Sequence, residues 1–140
     1  MPWQKRAEHV EQAMATEVAT AKGDVFDPQR FIPYVQLHEF EAILFAEPLE
    51  ITAVITQRTK RTSAAKVRSK FQSVLRSAAG HPEAINDRRD HCPSHQTLRI
   101  AETQSVTGRR PAYLKGTDGP LIAARIGIDA IRSKCAHFNR

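Results

Sequence analysis

The tetrapeptide His38-Glu39-Phe40-Glu41 places an imidazole and two carboxylates within four positions, a combination that suits a divalent cation. It follows Phe31-Ile32-Pro33-Tyr34-Val35-Gln36-Leu37, a nearly continuous apolar run that predicts a strand covered on both faces. Sites gather at the carboxyl ends of strands in α/β folds. If a helix begins at this point, His38 and Glu41 share a face and Glu39 points away from it. The same two acids could instead complement the positive end of a helix dipole. The residues do not form a His-Glu-x-x-His zinc motif, because no second histidine follows at that spacing.

A second grouping is basic. Between Ile51 and Pro82 there is no Asp or Glu, while Arg58, Lys60, Arg61, Lys66, Arg68, Lys70 and Arg76 all fall there. The net charge is +6, so those seven charges exceed it by one and the remainder of the chain sums to −1. On a helix, Lys66 and Lys70 line one flank of an apolar stripe, with Arg68 near the other. Such a helix can pack on a core and present a positive ridge to phosphates, or the ridge can be a solvated face.

Cys92-x-x-His95 and Cys135-x-His137 carry four potential zinc ligands, at spacings that match no common zinc module. Lys115-Gly116-Thr117-Asp118-Gly119-Pro120 loosely suggests a phosphate loop but lacks the Gly-Lys-Ser/Thr ending, so it reads better as turn-then-helix punctuation.

These residues need elements to position them. Ala7, Val10, Met14 and Val18 repeat at helical spacing and predict a helix over Ala7–Ala21, with Gly23 as its stop. Asp27-Pro28 marks a turn. Helical spacing resumes over His38–Phe45 until Pro48 interrupts it, and Ile51–Ile55 is a β-branched run of strand character. Ser63–Ala78 is an amphipathic helix whose apolar stripe is Ala64, Val67, Phe71, Val74, Leu75 and Ala78, with Ser63 as N-cap and Gly80 as terminator. Short helical turns follow at Pro82–Asn86 and Pro93–Ala101, then a loop over Thr103–Arg110. Asp118 and Pro120 precede a helix Leu121–Ile126 closed by Gly127, and Asp129 caps a last helix through Lys134.

A chain of 140 residues fits a single domain, residues 1–140, with 41% hydrophobic residues for its core. The pI near 9.7 favours polyanionic partners, whether nucleic acid or an acidic protein face. No apolar segment approaches the ~20 residues of a membrane span, and no signal peptide is evident, so a reducing cytoplasm is the expected location.

The stretch Phe31–Phe45 resembles a signature of the bacterial family catalogued as domain of unknown function 4276, regarded as similar to Toprim domains. Pro82-Glu83-Ala84-Ile85-Asn86-Asp87, Pro93-Ser94, Tyr113-x-Lys115, Asp118–Ala123 with Ile126-Gly127, and Cys135-x-His137-Phe138-Asn139 extend the resemblance in order to about Asn139. It implies a Toprim-like α/β fold, helix-rich, with a small, incomplete, mainly parallel sheet. It also implies a divalent-metal-dependent nuclease-type protein acting on nucleic acid, with an ATPase partner in phage defence. Mg²⁺ or Mn²⁺ would be held by Glu39, Glu41 and Asp118, with His38, Glu39 and Glu41 as the catalytic group. The nucleic acid would lie on Arg58, Lys60, Arg61, Lys66 and Lys70. The family's opening strand and first acidic motifs have no match here, so the resemblance is to its C-terminal two-thirds. That leaves a non-catalytic basic module, binding nucleic acid or a partner ATPase, as the alternative. An open sheet edge leads one to expect self-association.

Overall fold

The computed structural model describes residues 3–36, 39–59, 63–85, 91–102 and 113–139, apart from the side chains of Trp3, Gln4, Arg58 and Thr59. The chain divides into two compact units, Met1–Leu37 and His38–Arg140.

The first unit is built on α1 (Trp3–Lys22). Gly23 ends that helix at φ +54°, a conformation that costs glycine little. Asp27 then holds the turn Pro28–Arg30 by accepting a hydrogen bond from Gln29 N–H at 2.9 Å.

Beyond this turn the expectation fails. Phe31–Gln36 has no regular structure, and no strand occurs among the described residues, so the fold is all-helical rather than α/β with a parallel sheet. A ladder needs a second strand, and the described chain offers none. Pro33 removes one amide donor, and Val35 N–H donates to Glu11 Oε1 at 3.0 Å instead of to a neighbouring strand. Ile32 is 79% exposed, the opposite of a strand covered on both faces.

Among the described residues the second unit packs six α-helices: α2 (Glu41–Leu44), α3 (Pro48–Thr59), α4 (Ala64–Ser77), α5 (Pro93–Glu102), α6 (Lys115–Ile126) and α7 (Ile128–Lys134). Ile51–Ile55 lies within α3 and is not a strand. Pro48 suits the first position of a helix, where its missing N–H has no intrahelical partner to lose. Ile51, Val54 and Ile55 recur at three and four residues, and all three are buried. This burial outweighs the weak strand preference of β-branched side chains.

Helix α4 lies against α3 and α5, burying Val67 and Phe71, with the Phe71 ring edge-on to Phe45 at 5.7 Å. Ser63 occupies its N-cap position but makes no side-chain capping bond. The helix closes in a Schellman arrangement. Gly80 N–H bonds Leu75 O at 2.9 Å and Ala79 N–H bonds Arg76 O at 3.0 Å. The left-handed residue between them is Ala79, at φ +53°, where a glycine is usual. Ala79→Gly is therefore expected to raise the unfolding free energy by about 1 kcal/mol, read from urea midpoints. An unchanged or lower midpoint would contradict this.

Two ties join distant segments of this unit. Buried Glu83 accepts from the backbone N–H of His137 and of Phe138, each at 2.9 Å, which fastens the chain after α7 to the turn Pro82–Ala84. Lys134 Nζ donates to Ala46 O at 2.9 Å and pairs with Glu47 at 3.6 Å, which secures the end of α7 to the corner between α2 and α3.

Helix α6 begins at Lys115, earlier than Pro120 suggested, so Pro120 lies inside it. Asp118 accounts for the early start. Its Oδ2 accepts from Leu114 N–H at 2.7 Å, while its own N–H donates back to Leu114 O at 2.7 Å. This reciprocal pair does the work of a capping box. Asp129 falls in the first turn of α7, and Gly127, at φ +79°, takes the N-cap position.

Candidate functional site

Glu39 sits just ahead of α2 and reaches the start of α5. Ser94 N–H, in the first turn of that helix, donates to Glu39 Oε2 at 2.9 Å. The Glu39 carboxylate thus occupies the positive end of α5, an interaction between segments far apart in sequence. Burial raises its pKa, but the Ser94 hydroxyl and amide, the Cys92 thiol and the Lys115 ammonium together prevail and hold it below the ordinary 4.5.

The native protein therefore binds fewer protons at Glu39 than the unfolded chain does. This contribution to stability is present above the ordinary carboxylate value and is lost as pH falls through the depressed native one. In melts between about pH 3 and pH 6, Glu39→Gln should flatten the acid limb of stability relative to the parent protein. Parallel acid limbs would remove Glu39 from that role.

Glu41, two residues on, opens α2 and is fully buried. Tyr113, also buried, directs its hydroxyl at Glu41 Oε1 over 3.4 Å. Lys115 Nζ lies 3.1 Å from Glu41 Oε2 and 3.9 Å from Glu39 Oε1. Its approach to Oε2 is outside hydrogen-bond geometry, so that buried oxygen has an ion pair but no hydrogen bond. Burial raises the pKa of Tyr113, and the charges of Glu41, Asp118 and Glu39 raise it further, so the hydroxyl stays protonated. Gly119 makes a close approach here. A Cβ at that position would stand 3.3 Å from both the Tyr113 hydroxyl and the Phe40 ring.

Glu39, Glu41 and Asp118 thus converge on Tyr113, as a shared site requires, though not as a cation site. Asp118 is engaged with the Leu114 amide, and the Lys115 ammonium stands between Glu39 and Glu41 where a metal ion would neutralise them. Among the described residues no group of three His, Cys, Asp or Glu is placed to hold a metal. In this arrangement the donors do not fit Mg²⁺ or Mn²⁺. His38, the third residue of the expected catalytic group, lies outside the described residues.

The cysteine–histidine set is divided between two places. Cys92 interacts with Ser94 and Glu39, while Cys135 is fully buried and feels the charge of Glu83. Burial and the Glu83 carboxylate push the Cys135 thiol up to about 12, against a smaller opposing pull from Lys134. Such a thiol is a poor ligand and a poor nucleophile.

Among the expected nucleic-acid contacts, Lys66 and Lys70 are exposed on α4, as are Arg68 and Arg76. Lys66, Arg68 and Arg76 are in none of the ion pairs seen among the described residues, whereas Lys70 has an interaction of its own. Lys60, Arg61 and the side chain of Arg58 lie outside the described residues. Arg99 on α5, which the sequence reading passed over, faces the same cleft as Lys70. Its i, i+3 spacing from Gln96 was the available signal.

The chain belongs to the family described as domain of unknown function (DUF4276), which it matches over residues 1–140. Searches of curated proteins and of solved structures find no match. No helix among the described residues is long and apolar enough to cross a membrane.

Proposed function

We propose that this chain is a helical nucleic-acid-binding module whose contact surface is the exposed basic face of α4. The observation that supports the reading most directly is on that helix. Its apolar stripe goes into the core, while Lys66 and Arg76 lie exposed away from that stripe, with Lys70 exposed on its flank. No acidic residue occurs from Ile51 to Pro82, so the segment itself contributes only positive charge to this ridge. Fluorescence anisotropy with a labelled oligonucleotide across a salt series tests it. Binding should weaken with a log–log slope of about −0.9 for each phosphate neutralised on a duplex. Absent or salt-insensitive binding would refute the reading.

The convergence of Glu39, Glu41 and Asp118 on Tyr113 favours a second reading. Here the chain takes part in Toprim-type, divalent-metal-dependent cleavage of nucleic acid, alongside an ATPase partner in phage defence. That reading requires Lys115 to give up the cation position. Calorimetric titration of Mn²⁺ into Lys115→Ala should then show binding that Lys115→Ala/Glu39→Ala/Glu41→Ala lacks, and no binding by a folded Lys115→Ala would end it.

A further inference from the structure

Helix α6 carries little charge on either side. Its inner side holds buried Ile122 and Ile126, together with Asp118 and Gly119. Its outer arc holds Thr117, Pro120, Leu121 and Ala124, all exposed. Exposed Leu114 precedes the helix and exposed Ile128 follows it. A helix that is apolar on all sides is ordinarily covered on all sides. Of the helix's own charges, Lys115 pairs with Glu41 and Glu39, and Asp118 is buried against the Leu114 amide. That leaves Arg125, at the border of the outer arc.

We infer that the outer arc of α6 is a contact between two copies of this chain, packed antiparallel about a two-fold axis near Leu121. The residue order points to a second copy as the occupant. Leu114, Thr117, Leu121, Ala124 and Ile128 alternate large and small at steps of three, four, three and four, a series close to the same in either direction. A two-fold contact requires such self-complementarity, since one patch must fit itself. Leu121 then meets Leu121 of the second copy, and Leu114, seven residues before it, meets Ile128, seven after. Area supports the same occupant. Leu114, Leu121 and Ile128 are 39%, 45% and 59% exposed, and with Thr117, Pro120 and Ala124 they show on the order of 500 Å² per copy. A two-fold pair covers about 1,000 Å², the lower limit of a specific interface, so Kd is on the order of 10 μM. Arg125 lies four residues beyond the axis in each copy, which separates the two guanidinium groups by about 12 Å along the helices and leaves their repulsion largely screened. The contact uses no residue of α4 and stands apart from the nucleic-acid reading.

Sedimentation equilibrium over about 1–300 μM protein spans the expected Kd. The parent should move from 15.7 kDa toward twice that mass as concentration rises. Leu121→Glu sets two carboxylates side by side on the axis and should raise Kd at least about 100-fold. Leu121 and Ile128 are exposed in a single copy, so both variants should keep the parent's far-ultraviolet signal and melting temperature. Ile128→Glu should raise Kd about tenfold, and adding Leu114→Lys should return it to within about threefold of the parent. The two new charges lie about 21 Å apart within one helix and meet only across an antiparallel pair. A parent that stays monomeric over the whole range overturns the dimer and leaves this face to a different partner. A dimer unchanged by Leu121→Glu and Ile128→Glu also overturns it, since such a dimer forms elsewhere. Failure of Leu114→Lys to rescue Ile128→Glu overturns the antiparallel pairing.

Discussion

Lys115→Met is expected to lower the unfolding free energy by about 3 kcal/mol, although Lys115 is more than half exposed. A surface lysine seldom matters this much, since exposed ion pairs contribute roughly 0–1 kcal/mol. The difference lies in its partner. Glu41 is fully buried, and the Lys115 ammonium at 3.1 Å is the cation beside its unbonded oxygen. Removing the lysine strands a buried carboxylate, and that is the costly way to break such a pair. Glu41→Gln/Lys115→Met should recover most of the loss, because the amide can still accept from Tyr113 and carries no charge. Urea unfolding of the parent, the single variants and the double variant measures the coupling. A loss below about 0.5 kcal/mol in Lys115→Met would mean that Lys115 behaves as an ordinary surface residue.

The second large effect concerns α4. If Lys66, Lys70 and Arg76 each neutralise one phosphate, the duplex salt slope is about −2.7, and a fourfold rise in salt weakens binding about 40-fold. Lys66→Glu/Lys70→Glu should reduce the slope to about −0.9, because one of the three contacts remains. Affinity at low salt should fall at least about 100-fold, since each reversal removes an attraction and adds a repulsion. Both positions are exposed, so the helix should keep its far-ultraviolet signal and its melting temperature. Unaltered affinity in a folded double variant would show that the ridge is only a solvated face.

The parts of this protein that were readable in its sequence are those governed by local rules. The helix over Ala7–Ala21, the amphipathic helix from Ala64, the turn at Asp27-Pro28 and the stop at Gly127 depend on neighbours a few residues apart, and all are present. The segments misread depend on distant partners. Phe31–Gln36 has strand composition, but a strand exists only in a ladder, and the described residues contain none. Ile51–Ile55 has the same composition and became helical because the core receives one of its faces.

The site shows the same division. Glu39, Glu41 and Asp118 were conspicuous as acids, and they do converge. The groups that decide their chemistry, Lys115 and Tyr113, lie more than 70 residues from Glu41, a separation at which no spacing rule applies. In the sequence Lys115 stands out in a loop-like motif and, with Tyr113, in the family resemblance, but its role as a counter-ion emerges only when α2 and α6 are brought together.

Neither cysteine is in a disulfide, and the two differ sharply in reach: Cys135 is sealed in the core with its thiol pushed up to about 12, while Cys92 is part-exposed. A maleimide dye at neutral pH should therefore attach at one place without any cysteine being engineered in or out. That place is beside Glu39, at the head of the helix that carries Arg99. The chain thus supplies its own reporter position at the head of α5.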